Sequence, residues 1–215
     1  MKTKIFENIN YINLNERNDR KKNIEKLFNK SKLIKLNRFN AIKNENPRIG
    51  CYLSHIKILQ DAKENKEKYV CIIEDDFYTD YINLFELKLD NILSSKESFD
   101  VLLFGGNILP NYKKINNNCA QIFHSQTTTG YYVASHYFDK LLNHFKSGMV
   151  LLMKNPNSFK YYSIDKYWIL LQKYDKWLII FPLIIYQKKD YSNIENRVVN
   201  YKNIMLDSEK KYLSL

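Results

Sequence analysis

Three consecutive acids, Glu74, Asp75 and Asp76, follow directly on the β-favouring run YVCII at residues 69–73. Carboxylates this close repel one another and raise each other's pKa unless a cation neutralises them. A hard divalent ion, held by one or two carboxylates together with substrate phosphates, is the usual chemical solution. The other solution is an acidic turn on a solvated surface. Placement bears on the choice, because the run reads as a buried parallel strand. In open α/β sheets ligands gather beyond the carboxyl ends of such strands.

A second group lies near the start of the chain. Asn13 and Leu14 end a first strand, and Arg17, Asp19 and Arg20 follow, so two of only five arginines fall in one loop. In a parallel sheet that loop opens on the same edge as the acids. Cations are disfavoured at a helix N-terminus, so Arg17 or Arg20 suits a phosphate or a stacked base better than decoration. Gly50-Cys51-Tyr52-Leu53-Ser54-His55 reads as a helix start, where Ser54 or His55 could meet an anion beside free amides. A lone helical histidine is equally at home packed in a core. Asp165, after Ser163, stands in the first turn of a helix, an ordinary place for an acid. Gly105-Gly106 and Gly130 mark close approach of backbone to a ligand or to neighbouring structure.

The elements that must position these groups alternate along the chain. A strand at 9–14, a helix capped by Asn18 or Asp19, and a strand at 33–36 form the first unit. A helix over 52–65 then precedes YVCII, with Ser54 and His55 in its first turn. A helix at 82–94 leads to the strand DVLLF at 100–104, closed by Gly105-Gly106, and a polar connection follows. A strand ending in TTTGYYVAS precedes a helix capped by Ser135 and stopped at Gly148. Ser163 caps a helix at 164–175, and WLIIFPLIIY returns to strand. Alternation of this kind predicts one α/β domain over 1–215, a three-layer sandwich with a mainly parallel central sheet.

Composition removes other chemistries. With glycine only at 50, 105, 106, 130 and 148, no G-x-G-x-x-G or P-loop can be written. The formal charge of +11 comes from 29 lysines spread along the chain and five arginines, beside 26 asparagines. Readers of base edges lean on arginine, so nucleic acid is not the expected partner, and AT-rich coding accounts for the lysine. Cysteines 51, 71 and 119 show no C-x-x-C spacing, which argues against a zinc or disulfide framework. MKTKIFENIN lacks the apolar stretch of a leader, and the longest apolar run, 177–186, is broken by Pro182. The chain therefore reads as cytoplasmic, without a membrane span.

In their order, YINLNERNDRKKNI, RFNAI, GCYLSHIKILQDA, VCIIEDDF and DVLLFGG resemble glycosyltransferase family 25, the lipooligosaccharide and collagen galactosyltransferase group, over about residues 9–190. The resemblance implies a GT-A (Rossmann-like) fold, a nucleotide-sugar donor, usually a UDP-sugar, and inverting transfer to a hydroxyl of a glycan or glycoprotein acceptor. It sets Glu74-Asp75-Asp76 where GT-A enzymes carry their D-x-D motif. Asp76 would lead in binding Mn2+ or Mg2+, and Glu74 or Asp75 would share the ion or touch the ribose. Asn13, Leu14 and Arg17 match the segment bordering the nucleotide. Ser163-Ile164-Asp165 resembles the block whose acid, Asp165, is the general base. PLIIYQKKDYSNIE at 182–195 resembles the closing block. Many GT-A enzymes complete the metal shell with a late histidine, but the last histidine here is His144. Gln187, Asp190 or water would replace it. The rival expectation is a binding or scaffold protein that keeps the fold and transfers nothing.

Overall fold

The run YVCII is hydrophobic on both of its alternating faces because both faces are covered. Val70 and Ile72 pack into a core with residues of the helices on one side. Cys71 and Ile73 pack into a second core with helices on the other. A strand buried on both sides loses the polar half of its pattern, which is why it stands out in the sequence.

The computed structural model describes residues 6–31 and 33–211. The first five residues, which carry part of the leader expectation, and the last four of the tail lie outside it. Strands β1 (Phe6–Asn13), β2 (Ile34–Asn40) and β3 (Tyr69–Glu74) are separated by helices α1 (Asn18–Phe28) and α2 (Pro47–Glu64). The short β4 (Phe77–Tyr78) and helix α3 (Ile82–Leu93) lead to β5 (Val101–Ile108), β6 (Tyr112–Lys114), β7 (Cys119–Ile122) and β8 (Ser125–Ala134). Helix α4 (Phe138–Lys154) precedes three single turns, α5 (Phe159–Tyr162), α6 (Ile164–Tyr167) and α7 (Ile169–Gln172). The chain then forms β9 (Trp177–Ile180), β10 (Tyr186–Gln187), the hairpin β11 (Asp190–Ser192) and β12 (Arg197–Val199), and α8 (Lys202–Leu206).

The central sheet has the order β2-β1-β3-β8-β5-β9-β7-β6. β1 lies parallel to β2 and β3, and β5 parallel to β9. β8 runs against β3 and β5, and β7 against β9 and β6. Six strands thus point one way and β7 and β8 the other, a mixed but mostly parallel sheet. Helices α2 and α4 cover one face around Tyr52, Leu59, Leu141 and Phe145. Helices α1 and α3 cover the other around Ile24, Phe28, Phe85 and Leu89. The α/β sandwich anticipated from the alternation is the one observed. Among the described residues no helix is long and apolar enough to cross a membrane.

Several local expectations are corrected. Helix α2 begins at Pro47, capped by the Asn46 side chain on Arg48 N–H, so Ser54 and His55 lie two turns inside it. Asn-Pro is itself a start signal. Gly105 and Gly106 sit within β5 rather than closing it. The polar connection after them contains the edge strand β6 and leads into β7, which lies between β6 and β9. Gly148 is in the middle of α4, where an added Cβ would lie 2.6 Å from the Tyr167 ring and against the Tyr52 hydroxyl. It is a packing glycine and not a stop. The stretch 164–175 is broken into α6 and α7, and the Ser163 hydroxyl donates back to Phe159 O instead of capping. Gly105, Gly106 and Gly130 make room for Ile185, Ser125 and the Ile73, Phe77 and Phe104 side chains, so all three serve neighbouring structure.

Candidate active site

The parallel register of β1 and β3 pairs Ile12 with Glu74, which brings the carboxyl ends of both strands to one edge. There the buried Asn13 donates from Nδ2 to Asp75 Oδ2 at 2.8 Å and to Arg17 O at 3.0 Å. Its Oδ1 accepts from Arg38 Nε at 3.1 Å. Asn13 is a saturated joint between the first loop and the acids. Leu14, by contrast, lines a cavity of about 810 Å³.

Arg20 reaches the acid cluster, Arg17 lines the same cavity without touching those acids, and carboxylates engage both. Arg20 Nη1 contacts Asp75 Oδ1 at 2.8 Å and Asp76 Oδ2 at 3.3 Å, while its Nε donates to Asp190 Oδ2 at 2.9 Å. Arg17 pairs with Asp19 at 2.8 Å and Asp190 at 2.6 Å. Both also donate to Tyr191 O, at 3.1 and 2.9 Å. Together they fasten the β11–β12 hairpin over the acids. Asp190 is held by the two arginines. Gln187 instead meets the acids, donating from Nε2 to Glu74 Oε2 at 3.2 Å and Asp76 Oδ1 at 3.5 Å. The β4–β10 pairing, with Gln187 opposite Phe77, sets that reach.

The three acids differ electrostatically. Burial and the neighbouring Glu74 carboxylate push Asp76 up to about 8, against the pull of Arg20. Burial also raises Asp75, although Arg20 and Asn13 resist it. For Glu74 burial works upward too, but His55, Thr128 and Arg20 prevail and hold it below the usual range. Thr128 Oγ1 donates to Glu74 Oε1 at 2.6 Å. Three acids sharing one arginine do not all ionise readily without a further cation, and Asp76 with Glu74 offers an all-oxygen donor set that fits a hard divalent one.

Asp165 lines the same cavity from the first turn of α6. Burial chiefly raises its pKa, with Glu74 adding to the effect and Lys166 and the Thr127 amide opposing it. The Thr127 N–H donates to Asp165 Oδ2 at 3.1 Å. Thr127 makes that contact from φ 73°, a left-handed conformation costly for a β-branched residue. Ser54 borders the cavity, yet its hydroxyl accepts from Ile42 N–H at 2.9 Å and donates to Gly50 O at 2.8 Å, which anchors the 41–44 loop. His55 is buried against Tyr131, with Nδ1 2.7 Å from the hydroxyl. The remaining wall includes Arg48, stacked 4.3 Å above the Phe159 ring.

The sequence profile of glycosyltransferase family 25 (LPS biosynthesis protein) matches residues 45–168, more than half of the chain. The chain belongs to glycosyltransferase family 25. No curated protein matches it. Solved structures similar to this family 25 glycosyltransferase include the mannose-1-phosphate geranyltransferase of Thermus thermophilus, at 8% identity and TM-score 0.46 over 81% of this chain and 73% of that one. A glycosyltransferase involved in glycosylation of the major capsid of PBCV-1 gives 10% identity and TM-score 0.47 over 94% and 89%. A Drosophila β1,4-galactosyltransferase 7 mutant complexed with manganese, UDP-Gal and xylobiose gives 12% and 0.35 over 64% and 52%.

Some cavity residues of the transferase carry no sequence signal. Gln126, Thr127 and Thr128 look like ordinary strand residues, and only the fold brings Thr127 to Asp165 and Thr128 to Glu74. Tyr131 is one of 17 tyrosines.

Proposed function

We propose that this family 25 glycosyltransferase moves a hexose from a nucleotide-sugar, a UDP-sugar in the first instance, to an acceptor hydroxyl with inversion. The observation that carries the proposal is the meeting, in one cavity, of the Glu74–Asp76 acids and the separately placed Asp165. Asp76 and Glu74 would hold Mn2+ or Mg2+. That ion, when bound, supplies positive charge to a donor diphosphate and stabilises its departure. Leu14 and Asp75, with Arg17 and Arg20 behind them, form the donor side, Asn13 fixes Asp75, and Ser54 fixes the 41–44 loop of the wall.

Asp165 acts as the base. Its raised pKa makes the ionised form a better proton acceptor, and the Thr127 N–H holds one oxygen so that the other can face the acceptor. The acceptor hydroxyl gives its proton to Asp165 as its oxygen bonds to C1 of the sugar, and the bond from C1 to the nucleotide breaks on the opposite face.

The test is turnover of a UDP-sugar panel with manganese, read as released UDP with and without glycan acceptors. UDP release that needs manganese and disappears in Asp76→Asn supports the proposal. Tight nucleotide binding with no turnover of any donor would favour the scaffold alternative.

A further inference from the structure

Cys51, His55 and Glu74 each turn one ligand-type atom toward a common region, and the three atoms lie within 4.8 Å of one another. Cys51 and His55 are one turn apart in α2 and so share a face. Glu74 comes to them from the end of β3. All three line the cavity.

The second observation is at His55, which is 1% exposed. Its Nδ1 is occupied by the Tyr131 hydroxyl, whereas Nε2 is buried without a hydrogen-bond partner. Glu74 Oε1, 3.7 Å from Nε2, is near enough to attract a protonated imidazole but too distant for a hydrogen bond. An unsatisfied buried imidazole nitrogen is costly, and this one faces a carboxylate that the neighbouring thiol also approaches.

We propose that Cys51, His55 and Glu74 form a second cation site, selective for zinc over manganese or magnesium, whose occupation withdraws Glu74 from the acid cluster. Thiolate and imidazole ligands favour zinc, whereas the all-oxygen set around Asp76 favours harder ions. Tyr131 supplies what a ligating histidine needs, a fixed partner for its other nitrogen. Zinc binding forms an S–Zn bond as the Cys51 thiol proton leaves to solvent, with no change of oxidation state. Water would complete the zinc shell.

Only the consequence for manganese rests on the transferase proposal; the site itself does not. Cobalt(II) serves as the spectroscopic stand-in for zinc. One equivalent should produce a thiolate-to-cobalt charge-transfer band that zinc removes, that Cys51→Ser and Cys51→Ala abolish, and that Asp76→Asn retains. Zinc should also weaken manganese binding, followed by electron paramagnetic resonance, by roughly tenfold or more in the wild type and not in Cys51→Ser. Cobalt binding without a thiolate band, or a band that survives both Cys51 variants, overturns the site. A Cys51-dependent band with manganese affinity unchanged by zinc overturns the withdrawal of Glu74. A wild type that binds no manganese at all counts against the transferase proposal and the withdrawal of Glu74, while the band alone decides the zinc site.

Discussion

Asp165 and Asp76 are both partly buried acids with raised pKa values, yet their surroundings differ. Asp165 has an amide on one oxygen and a lysine nearby, so its carboxylate can form and accept a proton. Asp165→Asn should lower turnover by about 10²- to 10⁴-fold, the usual contribution of a positioned base, while donor affinity measured by calorimetry is unchanged. Loss of donor binding instead would make Asp165 a structural residue. The sign of the pH effect follows from the raised pKa. Below it the base is protonated and idle, so turnover should rise with pH through a value above the ordinary aspartate range. That acidic limb should be absent from the residual activity of Asp165→Asn. Asp76→Asn should remove manganese-dependent turnover; wild-type activity in that variant would show that Asp76 holds no ion.

At the scale of elements, the close contacts are where substitutions should cost most. Gly148→Ala overpacks the α4 surface against Tyr167 and Tyr52 and should destabilise by about 1–3 kcal/mol in urea denaturation. Unchanged stability in Gly148→Ala would show that the contact with Tyr167 and Tyr52 is not tight. Arg20 joins β3 to the β11–β12 hairpin through Asp75, Asp76 and Asp190. Arg20→Gln leaves those acids uncompensated and should cost about 3 kcal/mol, with faster proteolysis within 190–199 as the hairpin loses its clasp. The same elements show what a sequence can disclose. β3 and the first half of β5 are legible because burial on both faces leaves an unbroken apolar run. β6 is not, since a short edge strand such as Tyr112–Lys114 keeps its lysines in water, and β7 is only four residues long. The insertion of β8 between β3 and β5 is set by non-local pairing, which no local pattern encodes. In the site, Asp76 announces itself by its two acidic neighbours. Thr127 does not, because its function comes from a backbone conformation that its side chain disfavours.

Over the whole molecule, the +11 charge conceals a cavity edged by acids, and stability should register that contrast. Asp19 is depressed to about 2 by Arg17, so its contribution is lost only in strong acid and is constant above pH 5. His124 and His144 are lowered, chiefly by burial. The unfolded chain therefore binds more protons than the native state as pH approaches their ordinary value, and their contribution increases with pH and levels off near neutrality. Asp75, Asp76 and Asp165 act in the opposite sense. The native state retains protons that the unfolded chain has already lost, so stability falls as pH rises from the ordinary aspartate value through the raised native one. For Asp76 that decline runs on to about pH 8, beyond the histidine window. The metal-free protein should therefore melt at a lower temperature at pH 8 than at pH 7, and Asp76→Asn should flatten this slope by removing its largest contributor. Excess manganese should flatten the wild-type slope as well, because an ion that binds only the ionised native cluster stabilises it more as deprotonation proceeds. Equal slopes for wild type and Asp76→Asn in differential scanning calorimetry would show that the acid cluster carries no strain for a cation to relieve.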